Sequence, residues 1–88
     1  MSTLPPPATK KSDKDSLESK VYSIIDKYQQ YIPIMNDRNR LGFNLYRYMI
    51  GEGDSPELAV KYGKLKLENI TPEELAAKLQ QDLDNLSR

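Results

Sequence analysis

Cysteine, histidine and tryptophan are absent from this 88-residue chain, and the first two absences narrow what the protein does. Without cysteine there is no disulfide framework of the kind that stabilises small secreted scaffolds. Without cysteine and histidine there is neither a zinc site of the usual composition nor a base or thiol whose ordinary pKa lies near neutrality. We therefore expect a cytoplasmic, non-catalytic protein that holds no metal and no cofactor.

Long apolar runs and an excess of one charge are missing as well. No stretch approaches the roughly 20 apolar residues that a membrane-spanning helix needs, and the N-terminus lacks the apolar segment of a signal peptide. The 13 basic residues balance 13 acidic residues. General polyanion binding needs clustered positive charge, so this balance argues against it.

Proline is concentrated near the start of the chain, in the segment MSTLPPPATKK. This segment is short, polar and poor in apolar residues, so we predict a disordered tail over residues 1–11. Residues 12–88 are predicted to form a single helical domain, because a chain of this length supports one modest core. Ser12 and Asp15 have the spacing of a helix-capping pair.

An amphipathic first helix follows, because apolar residues recur at every third or fourth position. The stripe consists of Leu17, Val21, Ile24, Ile25, Tyr28 and Ile32. Pro33 disfavours a helical conformation at the residue before it, so the helix is predicted to end near Ile32 and the apolar segment IPIM to pack on the core. Tyr22 lies off the stripe with no evident role in the core, which makes it a candidate for contact with a partner.

The segment RNRLGFNLYRYMI predicts a second, central helix, capped by Asn36 or Asp37 and ended by Gly51. On a helical wheel, two sides are apolar. One side carries Leu41, Leu45, Tyr48 and Met49, the other carries Phe43, Tyr46 and Ile50, and Arg40, Asn44 and Arg47 form a polar strip between them. Gly42 leaves room for a neighbouring helix. We therefore expect this helix to be surrounded by the others.

The segment PELAVKYGKL predicts a short third helix, with Asp54 or Ser55 as its cap and Pro56 at its first position. Its predicted apolar stripe consists of Leu58, Tyr62 and Leu65, with Ala59 beside it and Gly63 near its end. The following KLKLENI is interpreted as a loop or a ragged helix end. The sequence thus predicts an all-α protein: a small bundle of three long helices and one short helix.

The fourth helix has the clearest start in the chain. Thr71 is its N-cap, Pro72 is its first residue and Glu74 completes a capping box. Ile70 and Leu75 occupy the two positions of a hydrophobic staple. The predicted apolar stripe consists of Leu75, Ala76, Leu79, Leu83 and Leu86.

One alternative function is nucleic-acid binding, because SPELAVKYG resembles the first helix and turn of helix-turn-helix proteins. The resemblance covers about nine residues and then fails, since a recognition helix should start about three residues after the turn glycine. The next cap, Thr71, is eight residues on, and Glu73 and Glu74 at that helix start would be repelled by phosphate. The residues that this alternative would use are Arg38, Arg40, Arg47, Lys61, Lys64 and Lys66.

The preferred interpretation is a small protein–protein interaction module that binds another protein or a second copy of itself. The central helix would present Phe43, Tyr46, Arg47 and Ile50, with Tyr22 as a further contact, because aromatic residues and arginine dominate interface energetics. A core role is the competing interpretation of Phe43, Tyr46 and Ile50, and for these three residues the sequence favours it over an interface role.

Overall fold

The computed structural model describes residues 17–87 of the chain. Within this range four α-helices form and no strand does. They are α1 over residues 17–27, α2 over Met35–Met49, α3 over Pro56–Tyr62 and α4 over Pro72–Leu86. The predicted all-α class is therefore confirmed for the described residues. The predicted tail over residues 1–11 and the capping pair after it lie outside them.

One hydrophobic core draws on all four helices. Its largest fully buried side chains belong to Val21, Ile25, Ile32, Leu45, Pro56, Leu75, Leu79 and Leu83. Burying a large aliphatic side chain contributes roughly 1.5–3 kcal/mol, so these residues are the main source of stability. The stripes predicted for α1 and α4 are confirmed, since their apolar positions face this core.

The end of α1 differs from its prediction, because the helix stops at residue 27 and residues 28–31 form turns. The backbone N–H groups of Tyr28 and Tyr31 donate to carbonyls three residues back, at 2.9 and 2.8 Å. Such bonds tighten the last turn of a helix and satisfy its final carbonyl groups. Ile32 is buried as predicted, whereas Ile34 and Met35 are exposed, so only part of IPIM packs on the core.

A tyrosine at this turn ties α1 to α4. The Tyr28 hydroxyl donates a hydrogen bond to Oδ2 of Asp82 at 2.5 Å, and Lys27 Nζ lies 3.1 Å from the same oxygen. Partial burial, together with the hydrogen bond to Asp82, raises the pKa of Tyr28 to about 12. The hydroxyl therefore stays protonated and remains a donor throughout the physiological pH range.

The predicted start of α2 is wrong and its predicted end is confirmed. The helix begins at Met35 with Ile34 at the N-cap position, so neither Asn36 nor Asp37 caps it. At the other end Gly51 has φ of 87°. The Gly51 and Glu52 N–H groups donate to Tyr48 and Arg47 carbonyls at 3.0 and 2.7 Å, which is the Schellman pattern.

The short helix α3 starts as predicted, with Ser55 at the N-cap position and Pro56 first. The loop before it is held by Asn44, whose Nδ2 donates to the Asp54 carbonyl at 2.9 Å and whose Oδ1 accepts from the Asp54 N–H at 3.2 Å.

The capping box of α4 is also confirmed, with the Glu74 N–H donating to Thr71 Oγ1 at 3.0 Å.

The predicted apolar stripe of α3 is wrong in two of its residues. The helix buries Pro56, Ala59 and Val60, whereas Leu58 and Tyr62 are 45% and 67% exposed. Positions i, i+3 and i+4 share a helix face, so the buried residues also form a stripe. Their small side chains allow α3 to pack closely on α4 and α2.

The segment between α3 and α4, predicted as a loop or a ragged helix end, is a loop and lies against the connection between α1 and α2. The Glu68 N–H donates to the Tyr31 carbonyl at 2.9 Å. Lys64, rather than the preceding Gly63, takes the left-handed conformation after α3, with φ of 55°. Two connections that are far apart in sequence therefore support each other at one end of the bundle.

Candidate interaction surface

The buried carboxylate of Asp37 links the first turn of α2 to the loop after α3. Asp37 is only 7% exposed; its Oδ2 accepts the Lys66 backbone N–H at 3.0 Å and its Oδ1 accepts Arg40 Nη2 at 2.7 Å. The Lys66 N–H, followed by Arg40, holds the pKa of the Asp37 carboxyl below its usual range. Arg40 Nη1 also donates to the Gly63 carbonyl at 3.0 Å. Arg40 is thus held between the start of α2 and the end of α3.

Phe43, Arg47 and Ile50 form what we call the α2 outer face. Phe43 is 52% exposed and Ile50 is 45% exposed. The Arg47 guanidinium carbon lies 5.8 Å from the centre of the Phe43 ring, within the range of a cation–π contact. Arg47 Nε also lies 3.9 Å from a Glu52 carboxylate oxygen. The face therefore presents two large apolar side chains with one arginine lying over the aromatic ring.

The helical wheel places Tyr46 on the same side of α2 as Phe43 and Ile50. In the structure Tyr46 belongs to the core and is 8% exposed. At about 100° per residue, Tyr46 lies only about 40° from Gly42 on the wheel. Gly42 is buried under a side chain from α1, so the flank that carries Tyr46 is covered. The second apolar side of α2 is therefore divided between core and solvent, and the expectation that the other helices surround α2 is wrong at its outer face.

Tyr22 has the intramolecular role that its position in the sequence did not reveal. It is half-buried, its ring lies against Gly42 of α2, and its hydroxyl lies 3.5 Å from the Asn39 carbonyl. Partial burial, with a contribution from the Glu18 carboxylate, raises the pKa of Tyr22. The contact with Gly42 explains an aromatic residue at this position, and contact with a partner stays a prediction for the part of the ring that is exposed.

The arginines proposed for nucleic-acid binding do not form one strip. Arg38 is half-buried and its Nη1 donates to the Ile32 carbonyl at 2.8 Å. Arg38 and Arg47 are nine residues apart, which places them about 180° apart on the helix. The hydrogen bond to Gly63 places Arg40 beside the end of α3. The exposed lysines near that end are Lys61, Lys64 and Lys66.

A cleft between α2 and α3 was not predicted. Its volume is about 190 Å³. The residues that line it are Arg40, Leu41, Asn44, Asp54, Leu58, Ala59, Tyr62, Gly63 and Leu65. The predicted apolar stripe of α3 places Leu58 and Tyr62 in the protein core, so the sequence analysis does not identify them as exposed residues of a surface cleft. The sequence does contain a signal for their exposure: Pro56, Ala59 and Val60 form a second apolar stripe, which leaves Leu58 and Tyr62 outside the core.

Over residues 17–87, acidic side chains nowhere gather in a group of three that could hold a metal ion. Among the helices of this range, none has both the length and the apolarity to cross a membrane.

Comparison with protein-family models, curated proteins and solved structures gives no match to this chain.

Proposed function

We propose that this chain is a small, non-catalytic protein-interaction module that binds its partner through the α2 outer face. The observation that carries the proposal is the exposure of Phe43 and Ile50 on a helix whose core side is already supplied by Leu41, Leu45 and Tyr46. Single exposed apolar residues are ordinary on protein surfaces. Two large ones two turns apart on the same face are a better basis for a binding surface.

The composition of the face supports this proposal. Phenylalanine and arginine are enriched in protein interfaces, where a few such residues carry most of the binding energy. The stacking of Arg47 on the Phe43 ring restricts the conformations of both side chains, so less conformational entropy is lost when a partner binds. The absence of cysteine supports the further prediction of a cytoplasmic setting.

The experiment is capture of binding proteins by the tagged chain from a lysate of its source, with nuclease present. Wild type is compared with Phe43→Ala and Ile50→Ala, and Met35→Ala is the matched control because Met35 is 64% exposed at the other end of α2. The proposal predicts that a captured protein is lost with both outer-face variants and kept with the control. Equal retention by all four chains would contradict it.

The alternative of nucleic-acid binding has one observation in its favour. Tyr62 is 67% exposed and lies in sequence among Lys61, Lys64 and Lys66, as in surfaces that stack bases between phosphate contacts. Two features count against a helix-turn-helix mode. Nine residues separate the end of α3 from the start of α4, and the exposed Glu73 and Glu74 stand where such proteins approach DNA.

This alternative is tested by fluorescence anisotropy with labelled duplex and single-stranded oligonucleotides at increasing salt. Phosphate contacts would give binding that weakens steeply with salt, because bound counterions are released. Binding of that kind, lost in a Lys61→Gln and Lys66→Gln double variant, would favour the alternative. A Lys20→Gln and Lys78→Gln variant removes the same charge elsewhere and should keep such binding. The interaction-module proposal predicts that the wild type itself shows no salt-sensitive binding.

A further inference from the structure

The cleft between α2 and α3 has an apolar floor and an apolar rim. Leu41, Ala59 and Leu65 line it and are buried or half-buried, while Leu58 and Tyr62 line it and are 45% and 67% exposed. Its volume of about 190 Å³ is below the roughly 300–1,000 Å³ of small-molecule sites. A dry cavity of about 150 Å³ holds a benzene molecule. The cleft therefore has room for one large apolar side chain.

The charge around the cleft is unevenly distributed. Residues 58–67 contain three lysines and no acidic residue. Lys61 Nζ lies 5.5 Å from the centre of the Tyr62 ring at the rim. Arg40 in the lining is already paired with Asp37 at 2.7 Å, and Lys66 Nζ lies 3.4 Å from a Glu68 carboxylate oxygen. The other part of the lining includes Asp54. Among the described residues, Lys61 and Lys64 are thus the two exposed cations at the C-terminal end of α3 that form no ion pair, and the Asp54 carboxylate stands at another point of the lining.

We propose that this cleft docks a protein segment in which one large apolar side chain is flanked by aspartate or glutamate. The apolar side chain would fill the space between Leu58 and Tyr62, and the flanking carboxylates would meet Lys61 and Lys64. Charge complementarity of this kind sets orientation and partner choice. The inference rests on the proposed function, because it adds a second contact beside the α2 outer face and names the chemistry of the partner.

A polyanion and a second copy fit the cleft less well. A nucleic acid carries phosphate along its whole length and would bring negative charge to Asp54 as well as to the lysines. A stable symmetric dimer needs roughly 800 Å² of surface from each partner, and the rim of the cleft offers only two large exposed apolar residues, Leu58 and Tyr62. A short acidic segment with one large apolar side chain needs neither a continuous basic surface nor an interface of that size.

The test is selection from a random peptide display library on the wild-type protein, followed by affinity measurement of the enriched peptides by fluorescence anisotropy. The inference predicts enrichment of peptides with a Leu, Phe, Tyr or Trp close to Asp or Glu. Leu58→Ala and Tyr62→Ala should each weaken their binding by roughly tenfold, as loss of an anchor contact does. A Lys61→Gln and Lys64→Gln double variant should weaken it by a smaller factor, because exposed charge pairs contribute little.

The controls separate this inference from the proposed function. Ile34→Ala is matched to Leu58→Ala, since the two side chains are 43% and 45% exposed, and it should leave binding unchanged. Thermal unfolding by circular dichroism checks that each variant folds. Peptides that depend on Phe43 and Ile50 but not on Leu58 and Tyr62 would overturn the inference and leave the proposed function standing.

Three other outcomes would also overturn the inference. The first is enrichment of peptides without acidic residues, or no enrichment at all. The second is displacement of the peptides by a single-stranded oligonucleotide, which would make the cleft a polyanion site. The third is a dimer in analytical ultracentrifugation that Leu58→Ala and Tyr62→Ala dissociate, which would make a second copy the occupant.

Discussion

The ring of Tyr22 in α1 lies against the backbone of Gly42 in α2. A Cβ built on Gly42 would lie 2.6 Å from Cδ1 of Tyr22, and closer still to Cε1. Real side chains do not approach so closely, so only glycine allows this contact without a shift of the ring. The pair brings α1 against one flank of α2, the flank on which Tyr46 is also buried.

Gly42→Ala tests this contact by the sign of its effect. Alanine in a helix interior is favoured over glycine by about 0.5–1 kcal/mol, but overpacking costs roughly 1–3 kcal/mol. We expect Gly42→Ala to lower the free energy of unfolding in urea in the wild-type background and to raise it when Tyr22 is already alanine. The same change in both backgrounds would mean that the two residues do not contact each other.

Asp37→Asn tests the buried carboxylate. The substitution removes the charge that accepts bonds from Arg40 and the Lys66 N–H, so we expect a loss of about 1–3 kcal/mol at neutral pH. Because the folded pKa of Asp37 is lowered, its stabilising effect is complete above the unfolded value of about 3.9 and is lost as pH falls through the folded pKa. Wild type and variant should therefore converge in urea unfolding at acidic pH.

The exposed Asp26 supplies the control for that experiment. Asp26→Asn should change the free energy of unfolding by less than about 0.5 kcal/mol, as surface substitutions usually do. A constant difference between wild type and Asp37→Asn down to the lowest pH would show that the carboxylate charge is not what stabilises this site.

Gly51 and Lys64 both adopt a left-handed backbone conformation, and substitutions at these two residues should change the stability of the protein in opposite directions. Gly51 has φ of 87°, and nothing among the described residues lies within 4 Å of a Cβ built there. Gly51→Ala should therefore cost about 1–2 kcal/mol from backbone strain alone. Lys64 has φ of 55°, so Lys64→Gly should gain about 0.5–1 kcal/mol. Thermal or urea unfolding measures the stability change of each variant. If both variants are stabilised or both are destabilised, the left-handed conformations assigned to these two residues are wrong.

Features that depend on neighbouring residues in the sequence were predictable. The start of α4 follows from Thr71, Pro72 and Glu74, which lie within four positions of one another and whose capping bonds are local. The end of α2 follows from Gly51 for the same reason. The core face of α1 follows from a stripe long enough to be unambiguous.

Features that depend on distant residues were not predictable. The burial of Asp37 depends on the backbone of Lys66, 29 residues away. In α3, seven residues accommodate two stripes equally well, and the packing on α2 and α4 decides for the one with Pro56. In α2, the wheel shows two apolar sides, but only the position of α1 over Gly42 separates buried Tyr46 from exposed Phe43.

The most direct test of the central claim measures stability and partner capture on the same preparations of Phe43→Ala and Tyr46→Ala. The account predicts that Phe43→Ala loses no more than about 1 kcal/mol of its free energy of unfolding, because the ring is 52% exposed and an exposed cation–π contact contributes roughly 0.5–1 kcal/mol. The same variant should lose the captured partner. Tyr46→Ala should lose about 3 kcal/mol or more, as truncation of a large core aromatic does. If Phe43→Ala instead destabilises the protein as much as Tyr46→Ala, Phe43 belongs to the core and the α2 outer face is not a binding surface.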